Sequence, residues 1–493
     1  MARMHGIGKF FVKNTLVLAT LGFGGGAMAA DKELLDILLG NGAITQAQYD
    51  HLLSRDSLSA ADLAPPAAQA NQTQAPATTR LEALEQRVER NEAAVAQAAQ
   101  SAGASRWTDS FRIRGYLQTR YTAMLDGDKG INLWSDRSVG DADSLGNADK
   151  NLLIRRARLV FQGDVGERLS FYLQPDFASS AGSTGNVLQM RDAYGDFYLT
   201  TDRVHRLRIG QSKVPYGFEN MQSSSNRLAL DRNDAFNSGV RDERDLGVFY
   251  YYTPESVQET FDAIAAAGLK HTGNYGMFGF SFYNGQGANR GDRNDNQHTV
   301  MRFTYPWQSA SGQFFEAGVQ AYTGQYVPSV EAYRGVDDFS YVPSIAPQYA
   351  DGYDDRRAGV SFVWYPQPFG VQAEWNWGDT PALDFASNSL VPATLDGGYV
   401  QAMYKLDSDH GTFFPFVKWQ YFDGANKAEA NAPRNHVNDW EVGLEWQLAK
   451  EVELTAVWHH MKRNNLVTGN RLGRPDYAAF EADALRLQVQ FNY

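Results

Sequence analysis

The sequence predicts an all-β chain, a transmembrane antiparallel β-barrel of about sixteen strands with an N-terminal helical and coiled-coil periplasmic arm. Three observations carry this. From Ser110 to the C-terminus, apolar and polar residues alternate with period 2; the ending is an example, with Leu485, Leu487, Val489, Phe491 and Tyr493 interleaved with Arg486, Gln488, Gln490 and Asn492. Short connections alternate strictly with long ones. The composition is 43% hydrophobic with a mean hydropathy of −0.44, too polar for a bundle of membrane helices, yet 13% aromatic. A barrel reconciles these values, because only one face of each strand must be apolar and its aromatics gather at the two interfaces.

The chain opens with Arg3, Lys9 and Lys13, an apolar run from Leu16 to Phe23 and a small-residue site at Ala27-Met28-Ala29. That order is a cleavable secretory signal over 1–30. Residues 31–64 read as short helical segments around Leu34, Leu35, Leu38 and Leu39, broken at Gly40-Asn41-Gly42. Residues 65–79, rich in Pro, Ala and Gln, form a linker without the means to build a core. Over 80–106, Leu81, Val88 and Val95 recur every seven residues beside Leu84, Asn91 and Ala98, a short coiled-coil seam whose Asn is a register device. Cysteine is absent, so disulfides and thiolate chemistry are excluded, and the net charge of −12 argues against nucleic acid as a partner.

The barrel domain spans 107–493, with strands expected near 110–122, 152–164, 168–178, 189–200, 204–213, 245–253, 275–284, 297–306, 313–324, 356–366, 369–378, 397–407, 411–422, 437–449, 451–461 and 484–493. Phe369, Val371, Ala373, Trp375 and Trp377 would face lipid, and Gln372, Glu374 and Asn376 a wet lumen. Links at 165–167, 201–203, 307–312, 367–368, 408–410 and 450 are tight; those at 123–151, 214–244, 325–355, 379–396, 423–436 and 462–483 are long and polar. Segment 254–274 sits where a tight turn belongs and reads as an irregular insertion. An even count places both ends of the barrel on the periplasmic side.

Leu207-Arg208-Ile209-Gly210-Gln211-Ser212-Lys213-Val214-Pro215-Tyr216-Gly217-Phe218-Glu219, with Ile154-Arg155-Arg156-Ala157-Arg158 and Phe282-Tyr283-Asn284-Gly285, resembles the phosphate-selective porin O/P family. The resemblance covers roughly 107–493. It implies an outer-membrane porin of a Gram-negative bacterium, trimeric, whose third long loop, here 214–244, folds into the pore. It carries over paired arginines at Arg155 and Arg156, loop serines at Ser223 and Ser224, and a loop arginine at Arg232. Two positions depart: Asn220 stands where the family has its phosphate-binding lysine, and Tyr116 where it has a first-strand arginine.

An anion entering a narrow channel sheds water and needs replacement donors, which arginine and lysine supply. Strand parity turns Arg112, Arg114 and Arg120 inward opposite Ile113, Leu117 and Tyr121; Arg156 and Arg158 oppose Ala157 and Leu159; Arg206 and Arg208 oppose Leu207 and Ile209; Lys213 ends that strand. The bland alternative is that these cations only pair with Asp164, Asp176, Asp192 and Asp196. The expected function is passive passage of small anions, phosphate or polyphosphate among them. A sugar or carboxylate pore is the competing reading, because Tyr116, Tyr172, Tyr194 and Tyr198 also face inward, and a cell-wall tether acting through the coiled-coil arm is another. The expected partners are outer-membrane lipid and lipopolysaccharide, small anions and further copies of the chain in a trimer. No cofactor or metal is expected, and no Ser–His spacing suggests an enzyme.

Overall fold

The structure is a computed structural model that describes residues 110–493 apart from 129–130, 132, 134, 137–138, 140–149, 182–183, 335–339 and 468–475. The secretory signal, helical segments, linker and coiled coil expected before Ser110 lie outside the described residues.

Each period-2 stretch is a strand: β1 (Arg112–Gly127), β2 (Lys150–Val165), β3 (Leu169–Ala181), β4 (Thr184–Tyr198), β5 (His205–Lys213), β6 (Arg244–Tyr252), β7 (Phe278–Tyr283) and β8 (His298–Gln308). They continue as β9 (Phe314–Tyr326), β10 (Tyr353–Trp364), β11 (Phe369–Asp384), β12 (Ser389–Tyr404, prolonged by Leu406–Ser408), β13 (Gly411–Ala425), β14 (Arg434–Ala449), β15 (Val452–Val467) and β16 (Asp476–Asn492). Every strand pairs antiparallel with its sequence neighbours, and β16 returns to β1, with Leu117 opposite Phe491 and Thr122 opposite Arg486. The barrel is therefore closed at sixteen strands and has no free edge.

Alternation fixes which solvent each face meets. Ile113, Ile209, Val319, Trp377, Val442 and Leu487 point outward and are exposed, while Gln118, Arg120, Arg302, Glu374, Lys418 and Arg486 point inward and are buried. A closed wall with an apolar outside and a charged inside is built for lipid. Among the described residues no helix is long and apolar enough to cross a membrane; the strands do the crossing.

Two stretches differ from expectation. The connection expected at 379–396 is mostly strand, because β11 and β12 run on to a hairpin at 385–388. Segment 254–274 is not irregular: Glu255–Ala266 forms a helix, α3 in chain order after two short helices described below, started by Pro254 and stopped at Gly268, where φ is 64°. Val257, Phe261 and Ile264, spaced by four and three residues, are its buried face. Ile264 packs with Phe218, Leu269, Phe314, Val363 and Tyr365 inside the barrel on the tight-turn side.

Candidate functional site

The connection from Lys213 to Arg244 folds into the barrel instead of standing above it. It carries α1 (Phe218–Met221), α2 (Asp234–Asn237) and a 3-10 turn (Arg241–Glu243), and nearly all of it is buried. Gly217 makes the entry turn at φ 85°, and a Cβ there would lie 2.7 Å from the Phe236 ring. Tyr216 packs between Phe236 (ring centres 5.4 Å apart) and Tyr322 on β9 (4.9 Å).

Polar anchors on the far walls explain why the loop stays inside. The Glu374 carboxylate on β11 accepts from the backbone N–H of Phe218 (2.5 Å) and Glu219 (2.8 Å), the orphan donors of the first turn of α1. Lys418 on β13 donates to Glu219 at 2.6 Å, and Arg357 on β10 donates to Ser238 Oγ at 2.7 Å and Ala235 O at 3.1 Å. Arg463 on β15 bonds Asp234 at 2.5 Å. Arg120 on β1 holds Asp136 at 2.6 Å and Asp231 at 3.0 Å, and Arg486 on β16 joins both of these carboxylates. Burial works to raise the Asp231 carboxyl, but the guanidiniums of Arg120, Arg486 and Arg155 outweigh it and hold Asp231 well below the usual range. Glu219 is lowered in the same way, with Lys418 and Arg227 overcoming burial.

The arginines expected from sequence divide into groups. Arg158 binds Asp176 at 2.6 Å and donates to Tyr116 Oη (2.9 Å) and Ser224 Oγ (3.3 Å). Arg208 forms a fork on Asp196 at 2.7 and 2.8 Å. Asp192 pairs with Arg244 at 2.9 Å, and Arg232 with Glu243 at 2.7 Å. Lys213 donates to the carbonyls of Met221 and Gln222, both at 2.7 Å, and Arg232 shares the second at 3.2 Å. Ser223 pairs with Ser225 at 2.9 Å. Asn220 donates to Phe236 O at 3.0 Å, so this position ties the loop to itself. Arg112, Arg114 and Arg208 lie toward the tight-turn side and do not join the loop cluster.

Arg155 and Arg156 both point inward, which strict alternation forbids. The register of β1 against β2 slips between Gln118 and Thr119, which pair with Arg156 and Ile154, leaving Arg155 as the extra residue of a β-bulge. Arg155 reaches Asp136 (3.7 Å), Asp231 (3.6 Å) and Ser135 O (2.8 Å). The sequence holds the signal: outward apolar residues step by two at Leu152 and Ile154, by three to Ala157, then by two again to Leu159 and Phe161.

Beside the loop serines, two buried guanidiniums have no carboxylate within ion-pair distance among the described residues. Arg156 donates to Gln118 Oε1 at 2.8 Å, and its neighbours in the electrostatic field are Arg155, Arg158, Arg227 and Arg120. Arg227, which the sequence reading missed, is 7% exposed, and no oxygen of the described residues accepts from its Nε, Nη1 or Nη2. It belongs to the loop, where no periodicity assigns a direction. Gln118, bonded to Arg156, also donates to Ser224 O at 3.0 Å, so Arg156, Arg158, Ser224 and Tyr116 form one connected wall with Arg227 nearby. An arginine stays charged even when buried. The wall therefore carries positive charge that no direct ion pair cancels, lying just beneath its surface, and that field favours a small anion.

A family model described as phosphate-selective porin O and P matches residues 129–493. Among solved structures, the chain is similar to the outer membrane channel DcaP of Acinetobacter baumannii, at 15% identity and a TM-score of 0.46, covering 78% of this chain and 97% of that one. It is similar to Salmonella typhi OmpF in complex with daunomycin at 11% identity and a TM-score of 0.47, covering 78% and 97%. It is also similar to an anion-selective porin from Comamonas acidovorans at 11% identity and a TM-score of 0.43, covering 78% and 99%. No curated protein matches the chain.

Proposed function

The chain belongs to the phosphate-selective porin O and P family, and from that premise we propose that this outer-membrane porin is a passive channel that prefers small anions. The observation that carries the preference is the Arg156–Arg227 pair, two buried guanidiniums with no carboxylate within ion-pair distance among the described residues. The Arg227 donors are buried, so the pair acts on a passing ion through its charge, which favours an anion over a cation. The ion pairs around it serve the loop: they hold 214–244 across the lumen and keep those donors fixed.

General anion passage is the better reading than tight phosphate selection. Asn220 brings no charge and is committed to Phe236 O. Tyr116 brings a hydroxyl that Arg158 already uses. The working assembly is a homotrimer in outer-membrane lipid and lipopolysaccharide, as the family resemblance implies. Reversal potentials across a planar bilayer in a KCl gradient test the proposal, with anion selectivity expected and a cation-selective sign refuting it. Added phosphate should reduce chloride current only at high concentration; block at low concentration would restore phosphate selectivity.

A further inference from the structure

Arg114 differs from the ion-paired arginines of the lumen. Arg158 is bound by Asp176 and Arg208 by Asp196, but Arg114 is exposed and makes a single long hydrogen bond, 3.5 Å to Gln162 Oε1, with no carboxylate partner among the described residues. Its guanidinium carbon lies 6.0 Å from the centre of the Tyr172 ring, the outer limit of a cation–π contact. Arg114 therefore gives up little if a ligand comes between it and the ring.

The ring itself is held rigidly. Tyr172 on β3 and Tyr194 on β4 are direct cross-strand partners, and their rings stack at 5.1 Å with an interplanar angle of 5°. Arg208 lies 3.6 Å from the centre of the Tyr194 ring and is fixed there by its fork on Asp196. Because β1 and β4 lie on opposite sides of β3, Tyr194 covers one face of Tyr172 and Arg114 stands over the other. The result is a preorganised stack whose second face looks toward Gln162, the partner of Tyr172 on β2, and the exposed Arg114 guanidinium that Gln162 holds by one long hydrogen bond. Tyr172 is four residues nearer the tight turn than Asp176, the partner of Arg158, so it lies ~13 Å along the wall from Arg158 and ~20 Å from Arg156.

We propose that Tyr172 and Arg114 form a second station in the pore, for planar aromatic carboxylates of the benzoate class. A hydrated phosphate gains nothing from the ring, and a saturated carboxylate gains only the guanidinium. A benzoate gains both, with its carboxylate on Arg114 and its ring on Tyr172. The station deepens the anion-channel reading and rests on it, since the ligand must enter as an anion.

The test uses the full-length protein in planar bilayers, comparing current block by benzoate and by cyclohexanecarboxylate, which have the same charge and similar size. Half-block by benzoate is expected at a concentration about three- to tenfold lower, the value of one stacked ring pair. Tyr172→Leu should bring the two acids together, Tyr172→Phe should keep them apart, and Arg114→Gln should weaken block by both. A ratio near one in the unaltered protein, or a preference that survives Tyr172→Leu, overturns the proposal. Should Tyr172→Leu fail to insert, the ratio in the unaltered protein and in Tyr172→Phe still decides. Loss of general anion preference appears in the KCl reversal potential and not in the ratio of two equally charged acids, so the two failures are distinguishable.

Discussion

Arg227→Gln is the substitution that bears most directly on selectivity. No described oxygen accepts a hydrogen bond from its guanidinium, so no hydrogen bond is broken when it goes, although the buried Glu219 and Glu243 lose part of the positive field that holds them ionised. Stability should change little, because the relieved desolvation of the guanidinium offsets the weaker support of Glu219 and Glu243, which keep Lys418, Arg232 and Arg244. The electrical effect is larger. For an ion passing at about 7 Å through a wet lumen of effective dielectric constant about 60, Coulomb's law gives about 0.8 kcal/mol, or about fourfold in local ion concentration. Anions fall and cations rise by that factor, so the permeability ratio changes by about fifteenfold unscreened, and by about fourfold at 0.1 M salt, where the Debye length is ~10 Å. The assay is the reversal potential in a KCl gradient near 0.1 M, read beside electrophoretic proof of a folded barrel. A folded Arg227→Gln channel whose permeability ratio moves by less than about twofold refutes the assignment of the surplus charge to this residue.

The ion-paired arginines should behave in the opposite way. Arg120→Gln strips a partner from both Asp136 and Asp231, so denaturant titration should show a loss of about 3–5 kcal/mol, with larger and noisier single-channel currents as 214–244 loosens. Glu429, in the connection after β13, has a carboxyl pushed up to about 7, by burial first and then by Asp234. It is neutral below that value and negative above it, so anion preference should weaken as pH rises from 6 to 8, a step that Glu429→Gln should abolish. Because the folded value lies above the usual 4.5, the folded state binds this proton more tightly, and the group's contribution to stability falls as pH rises from about 4.5 through 7. The helix Glu255–Ala266 is held by its buried face of Val257, Phe261 and Ile264, and the residues after it are tied by Lys405 to Ala267 O at 3.0 Å and by Lys270 to Glu445 at 2.5 Å. Phe261→Ala should therefore cost about 3–5 kcal/mol in denaturant titration, and a loss below about 1 kcal/mol would show that the helix is not held by this face.

What the sequence made legible follows from how each feature is encoded. The strands were readable because lipid on one side and water on the other impose a two-residue period on every crossing, from Ile113 to Phe491. The inward-folded loop was readable only through resemblance, since its anchors Glu374, Lys418, Arg357 and Arg463 are scattered over four strands and meet 214–244 only in three dimensions. The helix after Pro254 was misread although its spacing was present, because a barrel turn sets the expectation of a short link. Arg227 was invisible for a deeper reason. Whether a guanidinium is structural or functional depends on whether a carboxylate reaches it, and that is a property of distances. Arg158 and Arg227 are the same residue type facing the same lumen, and a single carboxylate, Asp176, separates their roles. A count of inward arginines therefore overstates the field an ion feels. Selectivity in this pore should follow the unpaired remainder, so adding an acid within reach of Arg156 should cost more anion preference than removing any one of its paired neighbours.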